Sequence, residues 1–255
     1  MLLVVDIGNT NLVLGVYKKK KLIRHWRLAT QIHQTGDEYG ILIANLFHLA
    51  EIPLNKISGV IVASVVPPIQ SAIVRSLKRY LKISPLVVGP GLKTNMSIRY
   101  DNPRDVGADR IVNGVAAYER VGDAVVVVDF GTATTFDLIS PEGDYLGGSI
   151  APGLGLSMNA LFEKTAKLPR IELVRPKKVV GRDTVSSMQS GLYFGYVGLV
   201  DALIARIIAE SGFDPVKVLA TGGLARLMTA ESERIDLIDE FLTLDGLRLL
   251  FERNN

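Results

Sequence analysis

Two short stretches of this chain place an acid, a glycine and several hydroxyl or amide side chains directly after an apolar run. The first is Asp6-Ile-Gly-Asn-Thr-Asn11, following Leu2–Val5; the second is Asp129-Phe-Gly-Thr-Ala-Thr-Thr135, following Val125–Val128. An Asp at the exit of a buried strand is costly unless something positive meets it. Gly8 permits backbone conformations that other residues avoid, and Asn9 and Thr10 suit a tight turn. Such a turn can aim N–H groups and hydroxyls at phosphate oxygens while its carboxylate stands by for Mg²⁺. One copy alone reads equally well as an ordinary hairpin with a capping Asp. The second copy, dense in hydroxyls at Thr132, Thr134 and Thr135, changes that weighing. Two facing loops can clamp a polyphosphate from both sides, with metal neutralising the charge. Thr221-Gly222-Gly223, after a third apolar run, offers backbone that could approach an adenine or ribose closely, although two glycines after a strand usually make just a turn.

Between the two copies lies Gly107-Ala108-Asp109-Arg110, at the start of a helix expected over residues 110–120. Asp109 is open to two readings: an N-cap, which Asp favours, or a carboxylate that accepts the proton of an attacking alcohol. Arg110 is either a planar clamp for phosphate or carboxylate, or half of a surface ion pair. Asp183 and Thr184 precede another expected helix and could cap it. Asp129 can coordinate some cation, and its hard oxygen ligands do not discriminate K⁺ from Mg²⁺. His25, His33 and His48 lack metal-ligand company and are given no role.

The elements that position these residues repeat. The first half reads strand 2–6, strand 11–17, a lysine turn, strand 22–28, helix 37–50, strand 59–64, helix 69–81 and strand 85–88. The second half reads strand 124–129, strand 134–139, strand 146–150, helix 153–164, helix 185–211, strand 216–220 and a last helix over 236–252. Val4-Val5-Asp6-Ile7-Gly8 and Val127-Val128-Asp129-Phe130-Gly131 align 123 residues apart, so the chain is expected to be a duplicated α/β domain with one ligand between the halves. Each half implies a mixed sheet flanked by helices, with the boundary near residues 117 and 118.

Composition narrows the function classes. At 48% hydrophobic and 22% charged, the chain can fold around a real core. Absence of cysteine excludes disulfides, thiolate nucleophiles and zinc–thiolate sites, and fits a cytoplasmic protein. The net charge is only +3 and the basic run Lys18–Lys21 reads as a solvated hairpin turn, which points away from nucleic acid. The start lacks the basic n-region of a signal peptide. The apolar stretch 191–209 contains Asp201 and Arg206 and reads as a buried protein helix, so no membrane span is expected.

On these motifs the chain resembles the sugar kinase, Hsp70 and actin superfamily, whose fold is a pair of ribonuclease H-like domains. Within it the sequence is similar to the type III pantothenate kinases. The likeness rests on Asp6–Asn11, Asp105-Val-Gly-Ala-Asp-Arg110, Asp129–Thr135, Gly147-Gly-Ser-Ile-Ala-Pro-Gly153 and Gly181-Arg-Asp-Thr184. It implies ATP-dependent phosphorylation of pantothenate at its 4′-hydroxyl, the first step of coenzyme A biosynthesis, by a cytoplasmic homodimer. It implies further that Asp109 is the general base, and that Asp6, Ile7, Gly8, Asn9, Thr10, Asn11, Leu12, Val13 and Thr132 bind ATP. Tyr100, Gly107, Ala108, Asp109, Arg110 and Thr184 would hold pantothenate. Asp129 would take a monovalent cation, K⁺ or NH₄⁺, and Asp6 would stand near the Mg²⁺ of ATP. Three alternatives keep parts of this picture: another acceptor, an actin-like ATPase, and a regulatory protein. Intact Asp109 and Arg110 favour the enzyme over the regulator.

Overall fold

The computed structural model describes every residue, Met1–Asn255. Its strands form two five-stranded mixed sheets. In the first, β1 (Leu2–Ile7) pairs antiparallel with β2 (Asn11–Lys18) and parallel with β4 (Gly59–Ser64). β3 (Lys21–Ala29) lies outside β2, and the two-residue β5 (Leu86–Val87) outside β4. The lysines make the turn between β2 and β3, where Lys18 pairs with Lys21 and Lys19 has positive φ.

The second sheet repeats this order. Central β6 (Val125–Phe130) pairs antiparallel with β7 (Ala133–Ile139) and parallel with β9 (Lys217–Thr221). β8 (Tyr145–Pro152) lies beyond β7, and β10 (Leu237–Ile238) beyond β9. Both central strands are apolar runs because both their faces are covered, and both break that run with an Asp one residue before they end.

Helices supply the cover. α1 (Gly36–Leu49) and α2 (Pro67–Leu81) set Tyr39, Ile43, Phe47, Ile69, Ile73 and Leu77 against Leu3, Val5 and Ile7. α3 (Ala108–Val121) follows, and in the second sheet α4 (Leu154–Glu163) and α5 (Thr184–Ser211) precede β9. α5 lays Tyr193, Tyr196, Val197, Val200 and Ile204 against Val126, Val128 and Phe136. A short helix, α6 (Ala225–Thr229), that periodicity does not suggest connects β9 to β10.

Three expectations change. The last helix does not begin at residue 236: Leu237–Ile238 join the sheet as β10, and α7 runs only from Leu242 to Arg253. Asp236 is drawn into the sheet edge, where its carboxylate accepts the Val218 N–H at 2.8 Å. Nor do the compact units coincide with residues 1–117 and 118–255. One consists of Met1–Met96, Asp101–Ala116 and Leu242–Asn255; the other of Ser97–Tyr100 and Ala117–Phe241. The cause lies in α7, whose Leu244, Leu247 and Leu250 are buried while Asp245 accepts the Tyr17 hydroxyl at 2.8 Å. Finally, α5 is not a wholly buried helix. It is long and apolar enough to cross a membrane, only 28% of its apolar window is buried, and Val185 and Leu199 face outward.

α7 approaches α3 so closely that a Cβ on Gly246 would lie 2.3 Å from the Val112 carbonyl oxygen. Gly246→Ala is therefore expected to push α7 away and destabilise the protein by about 1–3 kcal/mol. Urea unfolding checks this; an unchanged midpoint would show that the helix gives way freely.

Candidate active site

In the first unit the candidate residues gather at the carboxyl ends of the parallel strands β1 and β4, the usual location of ligands in open sheets. Asp6 pairs with Val13 on one side and Ala63 on the other, and the Val65 N–H reaches the Ile7 carbonyl at 3.1 Å. The turn is closed by the Gly8 N–H on the Asn11 carbonyl at 2.9 Å. Asn9 and Thr10 are exposed at its tip. Ile7 and Leu12 are fully buried, so their side chains belong to the core and only their backbone can meet a ligand. Val13 is half-buried.

Thr30, just past β3, holds this turn from behind. Its N–H donates to the Thr10 carbonyl at 2.9 Å and its hydroxyl to the Gly8 carbonyl at 2.7 Å. Two carbonyls of the turn are thereby engaged by one residue. Sequence reasoning missed Thr30 because it carries no motif of its own. Only its place after the third strand, matched by Gly153 after β8, marks it.

α3 begins beside the exit of β4, with Gly107 positioned so that a Cβ would lie 3.7 Å from Val65 and 2.5 Å from Asp109 Oδ1. Asp109 is the second residue of α3, inside the first turn rather than at the N-cap, and its Oδ1 accepts the Arg110 N–H at 2.8 Å. Burial pushes the Asp109 carboxyl above its ordinary value; the hydrogen bond from the Arg110 backbone and the Arg110 charge oppose this and do not overcome it. Arg110 is only 5% exposed, which removes the surface ion pair as an explanation of that residue.

In the second unit the turn after β6 is built differently. The Gly131 N–H donates to the Ala133 carbonyl and the Gly153 N–H to the Thr132 carbonyl, each at 3.1 Å. A Cβ on Gly153 would lie 2.2 Å from the Thr132 carbonyl oxygen, so only glycine lets β8 end here. Thr132 is exposed. The Tyr196 hydroxyl from α5 lies 2.6 Å from Thr134 Oγ1 and 2.8 Å from the Pro152 carbonyl, clamping the turn to the end of β8. Asp129 pairs with Thr221 across the parallel strands. Gly222, at φ +91°, sits so close that a Cβ would lie 2.5 Å from Asp129 Oδ1. The Thr221-Gly222-Gly223 turn thus leaves room for the Asp129 carboxylate.

Tyr100 and Thr184 also belong to the second unit, on separate elements. Tyr100 is half-buried, with its ring 6.3 Å from that of Tyr145. Thr184 opens α5 and is exposed, while capping falls to Asp183, which accepts the Ser186 N–H at 2.9 Å. Gly107–Arg110 stand in the first unit, so the residues expected to hold the acceptor are divided between the two.

The sequence profile of the type III pantothenate kinases matches residues 2–206. The chain is 57% identical over 255 residues to a type III pantothenate kinase of Myxococcus xanthus, covering 100% of this chain and 99% of that one. Among solved structures it resembles an inorganic polyphosphate/ATP-glucomannokinase from Arthrobacter with TM-score 0.54, at 16% identity, over 100% and 99% of the two chains. It also resembles a Campylobacter jejuni protein provisionally named a Baf family transcriptional activator, with TM-score 0.60 at 20% identity over 99% and 98%. These two structural likenesses show the fold.

Thr30→Val keeps the branched shape and removes the hydroxyl donor to Gly8. We expect it to weaken ATP binding about fivefold to tenfold, the worth of one hydrogen bond, in isothermal titration. Thr30→Ser should restore the affinity, and wild-type affinity in the valine variant would show that the turn holds itself.

Proposed function

The chain belongs to the type III pantothenate kinase family, and on that premise we propose a division of labour among its residues. The reaction itself is the family's: the γ-phosphoryl group of ATP is transferred to the primary alcohol of pantothenate, for coenzyme A biosynthesis. ATP serves with a divalent metal. In our reading Asp109 accepts the proton of the 4′-hydroxyl as that oxygen attacks phosphorus. The turn Asp6–Val13 and Thr132 hold the phosphates, while Tyr100, Gly107, Ala108, Arg110 and Thr184 seat pantothenate.

A single observation supports Asp109 as the base. It is a partly buried carboxylate at the carboxyl end of β1 and β4, and burial raises its affinity for a proton above that of an ordinary Asp. A carboxylate held this way accepts a proton during the transfer more readily than an ordinary Asp does. Arg110, buried beside it, suits a carboxylate or phosphate through its planar fork.

No cluster of three or more His, Asp or Glu forms a cage for a metal. That fits Mg²⁺, which is commonly bound by one or two carboxylates together with phosphates and water. Asp6 would hold it, and the metal would neutralise phosphate charge. Asp129, a carboxylate at the end of β6, would hold a monovalent cation, K⁺ or NH₄⁺. We place the enzyme in the cytoplasm, where ATP is supplied. We also propose a homodimer, supported by the outward-facing apolar side chains of α5, among them Val185 and Leu199. Sedimentation at micromolar concentration should give twice the chain mass, and a monomer would remove this proposal. The regulatory reading has only a remote structural neighbour's name behind it, and shared fold does not carry function.

Asp109→Asn is expected to lower turnover about 10²- to 10⁴-fold, read as pantothenate-dependent ADP release. In the wild type, turnover should fall as pH drops through a value above the ordinary aspartate range. The same raised pKa makes the carboxyl most favourable to stability below its unfolded value, and that contribution is lost as pH climbs through the folded one. Asp109→Asn should therefore melt higher than wild type at neutral pH, with the gain shrinking in acid. Replacing K⁺ by Na⁺ in the same assay tests Asp129: undiminished turnover would count against it. Wild-type turnover in a folded Asp109→Asn protein would end the assignment of the base.

A further inference from the structure

Asp137 is completely buried on β7, in a sheet whose other buried side chains are mostly apolar. A carboxylate in such a place is tolerated only when its oxygens are hydrogen-bonded, and an apolar residue of similar size would commonly serve stability as well. Both oxygens are occupied. Oδ1 accepts the hydroxyl of Tyr145 at 2.7 Å, and Oδ2 accepts the hydroxyl of Thr135 at 3.0 Å. Tyr145 is itself fully buried at the start of β8, and Thr135 lies in the hydroxyl-rich segment after Asp129.

Tyr145 is also the anchor of the segment that carries Tyr100. Its N–H donates to the Ser97 carbonyl and its carbonyl accepts the Arg99 N–H, both at 2.8 Å. Next to it, Asp144 accepts Arg99 Nε at 2.9 Å. The Tyr100 ring then lies against the Tyr145 ring, centroids 6.3 Å apart and planes tilted 55°. Two glycines that the sequence presents as a bare motif shape β8 beside this ring. Gly147 adopts φ +120°, a conformation that other residues rarely take, and lies in ordinary contact range of the Tyr100 ring. Gly148 pairs with Asp137, and a Cβ there would fall 1.7 Å from the Phe136 carbonyl oxygen.

We propose that Asp137, acting through Tyr145, is a positioning residue for pantothenate: it fixes the ring of Tyr100 against β8 and ties that ring to Thr135 beside the nucleotide turn. The inference rests on the reading of Tyr100 as a wall of the pantothenate pocket. Within the second unit, one carboxylate holds an acceptor-side ring and a nucleotide-side hydroxyl at once.

Tyr145→Phe removes the hydroxyl and keeps the ring. The expected result is a KM for pantothenate raised about fivefold to tenfold, the effect of one lost hydrogen bond, with the KM for ATP within about twofold of wild type. Asp137→Leu should do the same, whereas Asp137→Asn, which keeps a carbonyl acceptor for Tyr145, should return most of the pantothenate affinity. An Asp137 of purely structural importance would instead lower the melting temperature and leave both KM values alone, or move them together; either result overturns the proposal. Should Tyr145→Phe fail to fold, the comparison of Asp137→Leu with Asp137→Asn decides by the same readout. Tyr100→Ala separates the two layers. If it raises the pantothenate KM while Tyr145→Phe and Asp137→Leu do not, the positioning role alone falls. If Tyr100→Ala leaves that KM unchanged, the reading of the pocket falls, and the positioning role with it.

Discussion

Each sheet is organised around one conflict: a central strand buried on both faces that ends in a carboxylate. β1 and β6 must be apolar because both their faces are covered, yet Asp6 and Asp129 stand one residue before they end. A charge there has to be met from beyond the strand end, so whatever follows the Asp must leave space. In the second sheet that space comes from the absent side chain of Gly222 beside the Asp129 carboxylate, with Gly153 drawn tight against the turn. In the first, Thr30 engages two of the turn's carbonyls. The same demand is met by different residues in the two copies, as expected when a duplicated unit keeps its geometry and lets its parts diverge.

Strand-and-turn patterns carried most of the fold into the sequence. Two apolar runs ending in Asp and Gly were enough to expect the repeat, because a doubly covered strand leaves no other composition. The identical strand order of the two sheets follows from it. Tertiary choices were not legible. The stripe Leu244, Leu247 and Leu250 announces a helix without saying which sheet it covers, and Leu237–Ile238 looked helical until β9 offered its edge. Among the candidate residues, Asp6, Asp109 and Asp129 stand out because each is an acid two positions from a glycine. Asp137 does not, since an acid alternating with apolar residues on a strand ordinarily points to solvent. Its burial depends on Tyr145, eight residues away, and on two glycines across the ladder.

The distribution of chemistry follows from that geometry. Asp109 and Arg110 belong to one compact unit, Tyr100 and Thr184 to the other, and the short segment Ser97–Tyr100 leaves its sequence neighbours to be stitched onto β8. Structural neighbours that share the paired sheets at 16–20% identity carry names as different as a glucomannokinase and a transcriptional activator. What sets this chain apart from them is therefore not the fold.

The return of α7 to the first sheet has a consequence for how the molecule comes into being. Residues 1–96 precede the second unit during synthesis, but Leu244, Leu247 and Leu250, which cover the face of β1 and β4 opposite α1 and α2, are translated only after it. The first unit is thus completed only after the second has been translated, and the part of that face which α7 covers stays exposed until then. Protection of that surface, by the ribosome's vicinity or by a chaperone, is a requirement set by chain order and not by stability.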